Sequence, residues 1–275
     1  MLFPVIEDAL KDSHASISTD SDNTYLTSIR SIKARFSECC LYSDVAMDPY
    51  SSDGHDGLVK GGKILNDTTL PILVRMAQAQ AQAGVDVVAP SDMMDGRILA
   101  IRKGLDNIGY THIPILAYSA KYASALYGPF RNALGSAPKQ GDKKTYQMDP
   151  ANSNEAMEEA KLDYKEGADM LMVKPALPYL DVIWRMHAQF NIPICAYQVS
   201  GEYAMIKAAA HGKQVNEQHI IKETLTSIKR AGAKAIITYF AIFLLANNLR
   251  PIFSKWCFAP SSKSTASATT ASARV

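Results

Sequence analysis

Gly167-Ala-Asp-Met-Leu-Met-Val-Lys-Pro175 is the stretch on which the fold turns. A glycine closes the helical pattern before it, an unbroken apolar run follows, and lysine and proline end that run. The same grammar returns in Gly84-Val-Asp-Val-Val-Ala-Pro90 and in Gly232-Ala-Lys-Ala-Ile-Ile-Thr238. Strands apolar at every position are buried on both faces, as in a parallel sheet covered by helices. Working outward, strand patterns fall at 2–6, 41–47, 85–90, 113–119, 170–174, 192–199 and 234–240. Helical patterns with apolar residues three and four apart fall at 26–36, 70–83, 98–107, 156–166, 180–190, 203–210 and 218–231.

Such regular alternation, with no G-x-G-x-x-G turn after a strand, predicts an α/β fold of the (β/α)8 TIM-barrel type rather than an open doubly wound sheet. The pattern at 2–6 begins at once, so the barrel is expected to lack its first strand, which leaves two open edges. A single domain is predicted over 1–255. The Gly-, Pro-, Lys- and Asp-rich segment 128–150 is expected to be a lid or binding loop, and the Ser/Thr/Ala-rich segment 256–275 a disordered tail.

Composition narrows the function. The 275 residues are 47% hydrophobic and 20% charged, with 29 basic and 27 acidic residues scattered along the chain. There is no basic footprint for nucleic acid or a membrane surface, and the apolar stretch 235–249 falls short of the roughly 20 residues a spanning helix needs. A small metabolite is the expected partner. Cys39, Cys40, Cys195 and Cys257 form neither a disulfide framework nor a C-x-x-C zinc pattern, so a reducing compartment is expected. The first residues carry no signal or transit character, and cytoplasm and plastid both stay open.

Two lysines stand where lysines are unusual. Lys121 closes Ile-Leu-Ala-Tyr-Ser-Ala-Lys and Lys174 closes Met-Leu-Met-Val-Lys, each at the C-terminal end of a buried strand. That end of a barrel is its catalytic mouth, so both amines would enter one pocket. An ordinary lysine amine is protonated and not nucleophilic, but burial and a second cation depress its pKa. One such lysine alone would more often just mark where a strand meets water.

The motifs around these lysines add a resemblance. Tyr-Ser-Ala-Lys-Tyr-Ala-Ser (118–124), Tyr-Gly-Pro-Phe-Arg (127–131) and Met-Val-Lys-Pro-Ala-Leu-Pro-Tyr-Leu-Asp (172–181) resemble the porphobilinogen synthase family. So do Ala-Pro-Ser-Asp-Met-Met-Asp-Gly-Arg (89–97), Gly-Asp-Lys-Lys-Thr-Tyr-Gln-Met (141–148) and Tyr-Gln-Val-Ser-Gly-Glu-Tyr (197–203), over residues 2 to 241. The resemblance implies a hydro-lyase of tetrapyrrole biosynthesis that joins two molecules of 5-aminolevulinate. Lys174 would hold the first-bound molecule as a Schiff base and Lys121 the second.

By the same resemblance, Arg131 and Lys143 would face one substrate carboxylate, Ser200 and Tyr239 the other, and Gln147 would be a further lid contact. On residues alone, Arg131 and Lys143 fit a solvated loop and Ser200 a helix cap.

The loop Asp44-Val-Ala-Met-Asp-Pro-Tyr-Ser-Ser-Asp-Gly-His-Asp-Gly57 aligns with one that carries cysteine zinc ligands in some family members. Here those positions are Ala46, Asp48 and Asp56. Carboxylates suit magnesium where thiolates suit zinc, so no cysteine-ligated catalytic zinc is expected. Asp44, Asp48 and Asp56 would hold Mg2+ or place water and protons, with His55 assisting, and solvated turn formation is the alternative. The family's regulatory magnesium would fall to Glu159, which by itself reads as an exposed helical residue.

The family assembles as an octamer through an N-terminal arm that precedes the barrel, and neither that arm nor the family's usual closing helix is legible here. Two rivals stand beside this reading. One is another class I aldolase-type enzyme, which needs only one lysine. The other is a truncated, non-catalytic paralogue that binds full-length subunits.

Overall fold

Each apolar run between a helix-closing glycine and a polar turn becomes one strand of a parallel arc in the computed structural model, which describes residues 1–135 and 137–247. The expected tail at 256–275, and the end of the expected domain, lie outside the described residues. The helices are α1 Thr24–Arg35, α2 Asn66–Ala83, α3 Arg97–Asn107, α4 Gly128–Leu134, α5 Glu155–Glu166, α6 Leu180–Gln189, α7 Ser200–His211, α8 Glu217–Arg230 and α9 Ala241–Ala246. The strands are β1 Tyr42–Val45, β2 Leu58–Lys60, β3 Lys63–Leu65, β4 Val87–Pro90, β5 Leu116–Lys121, β6 Met170–Lys174, β7 Ile194–Gln198 and β8 Ala235–Thr238.

β1 pairs with β4 in parallel, one parallel bridge from Val88 to Ile115 carries the arc on to β5, and β5, β6, β7 and β8 follow in order. Each strand is followed by a helix that packs back on the arc, which is barrel architecture. The expected strand at 2–6 contracts to a single parallel bridge, Leu2 to Ser43. Among the described residues it has this one neighbour, where an inner strand has two. Among the described residues no pairing joins β8 back to Met1–Phe3. The cost is visible in β8, half-buried at each of its positions where β6 and β7 are buried throughout.

The antiparallel hairpin β2–β3 inside the loop after β1 was not legible as strands. Its strands are three residues each, too short for a periodicity to register. In the segment expected to be a lid, 128–150, the first turns are α4 and the described residues after it are irregular.

Two apolar layers result. Val87, Ala89, Leu116, Tyr118, Met170, Met172, Cys195 and Tyr197 fill the inside of the arc, while their strand neighbours Ala117, Leu171, Val173, Ile194 and Ala196 join the layer beneath the helices. This is the two-residue alternation of a pleated strand, with both faces dry.

Candidate active site

Strand parity decides where the lysines point. Lys174 follows Met170 and Met172 at even spacing, so it enters the same inner space. Lys121 lies three residues after Tyr118, and an unbroken strand would turn it to the helix side. The register instead passes from Ala117 opposite Leu171 to Ala120 opposite Val173, one residue more on β5 than on β6. This bulge restores parity, and Lys121 stands level with Lys174 on the neighbouring strand. Bulges re-aim side chains in this way.

Lys174 is buried among ring faces: its Nζ lies 4.6 Å from the Tyr197 centroid, 5.2 Å from those of Tyr118 and Tyr127, and 5.4 Å from that of Phe130. Rings attract a cation, but not strongly enough to replace water. Burial, reinforced by the charge of Lys121, pushes the Lys174 amine down to about 7, against the pull of Asp44, Asp48 and Asp56. Half of it is then uncharged near neutral pH.

Lys121 is held by acceptors. Its Nζ donates to the Ser91 carbonyl and to Asp56 Oδ2 at 3.4 Å. Asp56 is fully buried, and its other oxygen accepts from Lys143 Nζ at 3.1 Å. Burial alone would raise the Asp56 carboxyl, but the Lys121 and Lys143 ammoniums override it and hold the group well below the usual range. Lys143 also donates to Asp48 at 2.9 Å, and these two carboxylates raise its pKa against the opposing effect of burial. The Asp44 carboxyl, with Oδ1 lacking any hydrogen-bond partner, is pushed up to about 7 by burial and by Asp48.

Three residues after α4, Gln140, Lys143 and Tyr146, bond to the loop that carries this cluster. Lys143 reaches the aspartates, His55 contacts the Tyr146 hydroxyl at 3.2 Å, and His55 Nε2 donates to the Gln140 carbonyl at 2.9 Å. That fixes the imidazole tautomer, with Nδ1 accepting from Tyr146. Arg131 Nη2 donates to Gln147 Oε1 at 3.4 Å, and its guanidinium lies over the Tyr127 ring.

Across the chamber, a small cleft brings together Lys174, Tyr127, Phe130, Tyr197, Ser200 and Tyr239. Ser200 opens α7, yet its hydroxyl accepts from Phe130 N–H at 3.1 Å instead of capping its own helix. The Tyr239 hydroxyl lies 3.5 Å from that of Tyr197.

Arg131 thus meets Gln147 and the Tyr127 ring, while Ser200 and Tyr239 share a cleft with Tyr127 and Lys174. Lys143, expected beside Arg131 as an anion contact, is placed on Asp48 and Asp56. Sequence reasoning missed the aromatic box around Lys174 and the Ser91 carbonyl. The rings stood in the quoted motifs, but nothing local says that four of them converge on one amine.

Magnesium has two candidate positions, and they differ. Both Asp56 oxygens and one of Asp48 already accept from lysine ammoniums, and two buried cations beside them oppose a divalent ion. The Asp44, Asp48 and Asp56 set therefore suits lysine and proton handling better than direct metal ligation. Glu159 is half-buried and lines a separate open cleft with Glu155 and Asp95. Burial, with Asp95 and Asp163 nearby, pushes it up to about 7 despite Arg97. A carboxylate short of positive charge fits a cation. No group of three or more His, Cys, Asp or Glu side chains has ligating geometry among the described residues, so the ion would keep most of its water, as magnesium commonly does.

With this geometry in hand, the family model for delta-aminolevulinic acid dehydratase matches residues 1–246. The chain belongs to that family. It is 57% identical over 243 residues to the chloroplastic delta-aminolevulinic acid dehydratase of Physcomitrium patens, covering 88% of this chain and 56% of that one. To the Bradyrhizobium diazoefficiens dehydratase it is 53% identical over 241 residues, covering 87% of this chain and 68% of the other. A solved structure of the Toxoplasma gondii dehydratase (porphobilinogen synthase) with the reaction product porphobilinogen matches with a TM-score of 0.88 at 50% identity, covering 94% of this chain and 76% of that one. The chain thus spans little more than half the length of some curated dehydratases it matches, and its arc is the TIM barrel of that dehydratase structure. No helix among the described residues is long and apolar enough to cross a membrane.

Proposed function

We propose that this chain carries the catalytic centre of a porphobilinogen synthase, condensing two 5-aminolevulinate molecules to porphobilinogen with loss of water. The observation that carries the reading is the pair of lysines, level on adjacent strands, one poised near neutrality in an aromatic box and the other held by acceptors. The uncharged Lys174 amine attacks the ketone carbon of the first substrate. Loss of water then gives an iminium, whose positive charge the rings around Lys174 accommodate. Asp44, near 7, is suited to deliver and recover the protons of that dehydration. Lys121 does the same for the second substrate, with Asp56 as its charge partner. An iminium acidifies the adjacent carbon, which allows C–C bond formation and then ring closure by a substrate amine.

Arg131 and Gln147 are suited to one substrate carboxylate, Ser200 and Tyr239 to the other. Magnesium at Glu159 would act away from the reacting amines, on α5 and its neighbours. Self-association up to the family's octamer is part of the proposal, as is a plastid setting, which the chloroplastic relatives support. Segment 128–150 serves as the lid.

The test is to incubate the protein with 5-aminolevulinate and borohydride, map the reduced adducts by mass spectrometry and assay porphobilinogen in parallel. Adducts on Lys174 and Lys121 with product formed are expected. Soluble protein giving neither would make the chain a non-catalytic paralogue, and an adduct on one lysine only, without product, would point to aldolase-type chemistry.

A further inference from the structure

The turn after β4, Ser91-Asp92-Met93-Met94, meets the site twice: the Ser91 carbonyl bonds Lys121 and the Ser91 side chain bonds Asp44. Ser91 N–H donates to the Val45 carbonyl at 3.0 Å, which fixes the start of the turn to β1. The Ser91 carbonyl accepts from Lys121 Nζ. Two residues on, Met93 is left-handed with φ +68, a conformation that a long side chain rarely adopts. The bond that closes over it comes from Asp92, whose Oδ1 accepts Met94 N–H at 2.8 Å. Asp92 is fully buried, and its Oδ2 has no hydrogen-bond partner among the described residues.

Arg97 stands behind the turn. Its Nε lies 3.7 Å from Asp92 Oδ2 and has no hydrogen-bond partner among the described residues, while its other nitrogens donate to Asp163 at 2.7 Å, to the Tyr118 carbonyl at 3.2 Å and, within the turn itself, to the Met94 carbonyl at 3.4 Å. The guanidinium is thus anchored to α5 and β5 without Asp92. The Asp92 carboxylate is committed to the turn.

We infer that Asp92 is a positioning residue for Lys121: its carboxylate clamps the left-handed turn that presents the Ser91 carbonyl to the Lys121 ammonium. The inference rests on reading Lys121 as one of the two reacting amines, and it assigns the fixing of that amine to a side chain that never touches substrate. Without the clamp, Met93 relaxes to a negative φ and the carbonyl swings away. A Lys121 amine released from this acceptor is no longer fixed against the turn and is freer to meet a reagent.

The test needs no substrate. Trace acetylation of the folded protein at pH 7.5, read lysine by lysine by mass spectrometry, reports how much free amine each lysine carries. Asp92→Ala is expected to raise Lys121 labelling about tenfold and leave Lys174 within about twofold. Asp92→Asn keeps an oxygen for Met94 N–H and should label as the parent does. The double variant Asp92→Ala with Met93→Gly, in which glycine adopts the left-handed turn unaided, should bring Lys121 back within about threefold of the parent.

Unchanged Lys121 labelling in Asp92→Ala, or a double variant as reactive as Asp92→Ala, overturns the inference. If Asp92→Ala does not fold, a folded double variant with parental labelling supports it and one with raised labelling refutes it. If neither folds, Asp92→Asn decides alone, because raised labelling there would mean that charge and not the turn matters. A parent protein that makes no porphobilinogen but follows this labelling pattern refutes the proposed activity and leaves the positioning role standing.

Discussion

Replacing Lys121 by methionine removes a charge from beside Lys174 with little change in volume, and the response of Lys174 can be worked from the register. Partners on adjacent strands stand about 4.8 Å apart. Two ammoniums about 6 Å apart, at an effective dielectric near 20, repel by about 3 kcal/mol, or about 2 pKa units. Asp56, 3.4 Å from Lys121, screens part of that. Losing Lys121 also leaves Asp56 more negative toward Lys174, which acts in the same direction.

Lys174 should therefore titrate about one to two units above its value of about 7. At pH 7 its uncharged fraction then falls from about one half to between a tenth and a hundredth. The assay is the initial rate of borohydride-trapped adduct at Lys174 from pH 6 to pH 10, parent against Lys121→Met. The midpoint should move to alkaline pH while the plateau survives. A midpoint that stays put or moves to lower pH would refute the electrostatic coupling of the two amines.

Three further outcomes are expected. Asp56→Asn leaves the buried Lys121 without a carboxylate partner and Lys143 with Asp48 alone, and should cost about 3–5 kcal/mol in denaturant unfolding at pH 7; because the Asp56 carboxyl is depressed in the folded state, its contribution is present above about pH 4 and fades as pH falls through the folded value, so the gap between parent and variant should narrow in acid. Gly201→Ala places a Cβ 2.5 Å from the Leu126 carbonyl oxygen and should cost about 1–3 kcal/mol, with porphobilinogen formation falling further as Ser200 parts from Phe130. If Glu159 holds magnesium, isothermal titration should detect Mg2+ binding to the parent and at least tenfold weaker binding to Glu159→Gln, with borohydride trapping at Lys174 intact in both.

The barrel was legible because strands buried on both faces announce themselves as unbroken apolar runs, and glycine closures mark where several of them begin. The pairing of Lys121 with Lys174 was legible as proximity but not as orientation. A strict two-residue alternation from Tyr118 turns Lys121 outward, and only the register shift against β6 turns it back. Bulges depend on how the neighbouring strand pairs, which no local window contains. The run at 2–6 has the composition of a strand, but a strand needs partners, and one bridge is all it finds. Lys143 read as a solvated loop residue by itself and as an anion contact through the family resemblance, and neither reading contained the two carboxylates from the loop after β1 that bond it.

That last contact has a kinetic side. Lys143 rides on the segment proposed as the lid, while Asp48 and Asp56 sit on the floor, so uncovering the chamber means pulling one ammonium away from two carboxylates. The cover is a charge latch, and its dwell time depends on how well solvent and ions can replace the partners it leaves. Salt should shorten the closed interval and weaken retention of whatever is inside, and Lys143→Arg, with a longer and forked tip, should alter the release rate before it alters the chemistry. Here the timing of release would depend in part on Asp56, the same carboxylate that bonds Lys121.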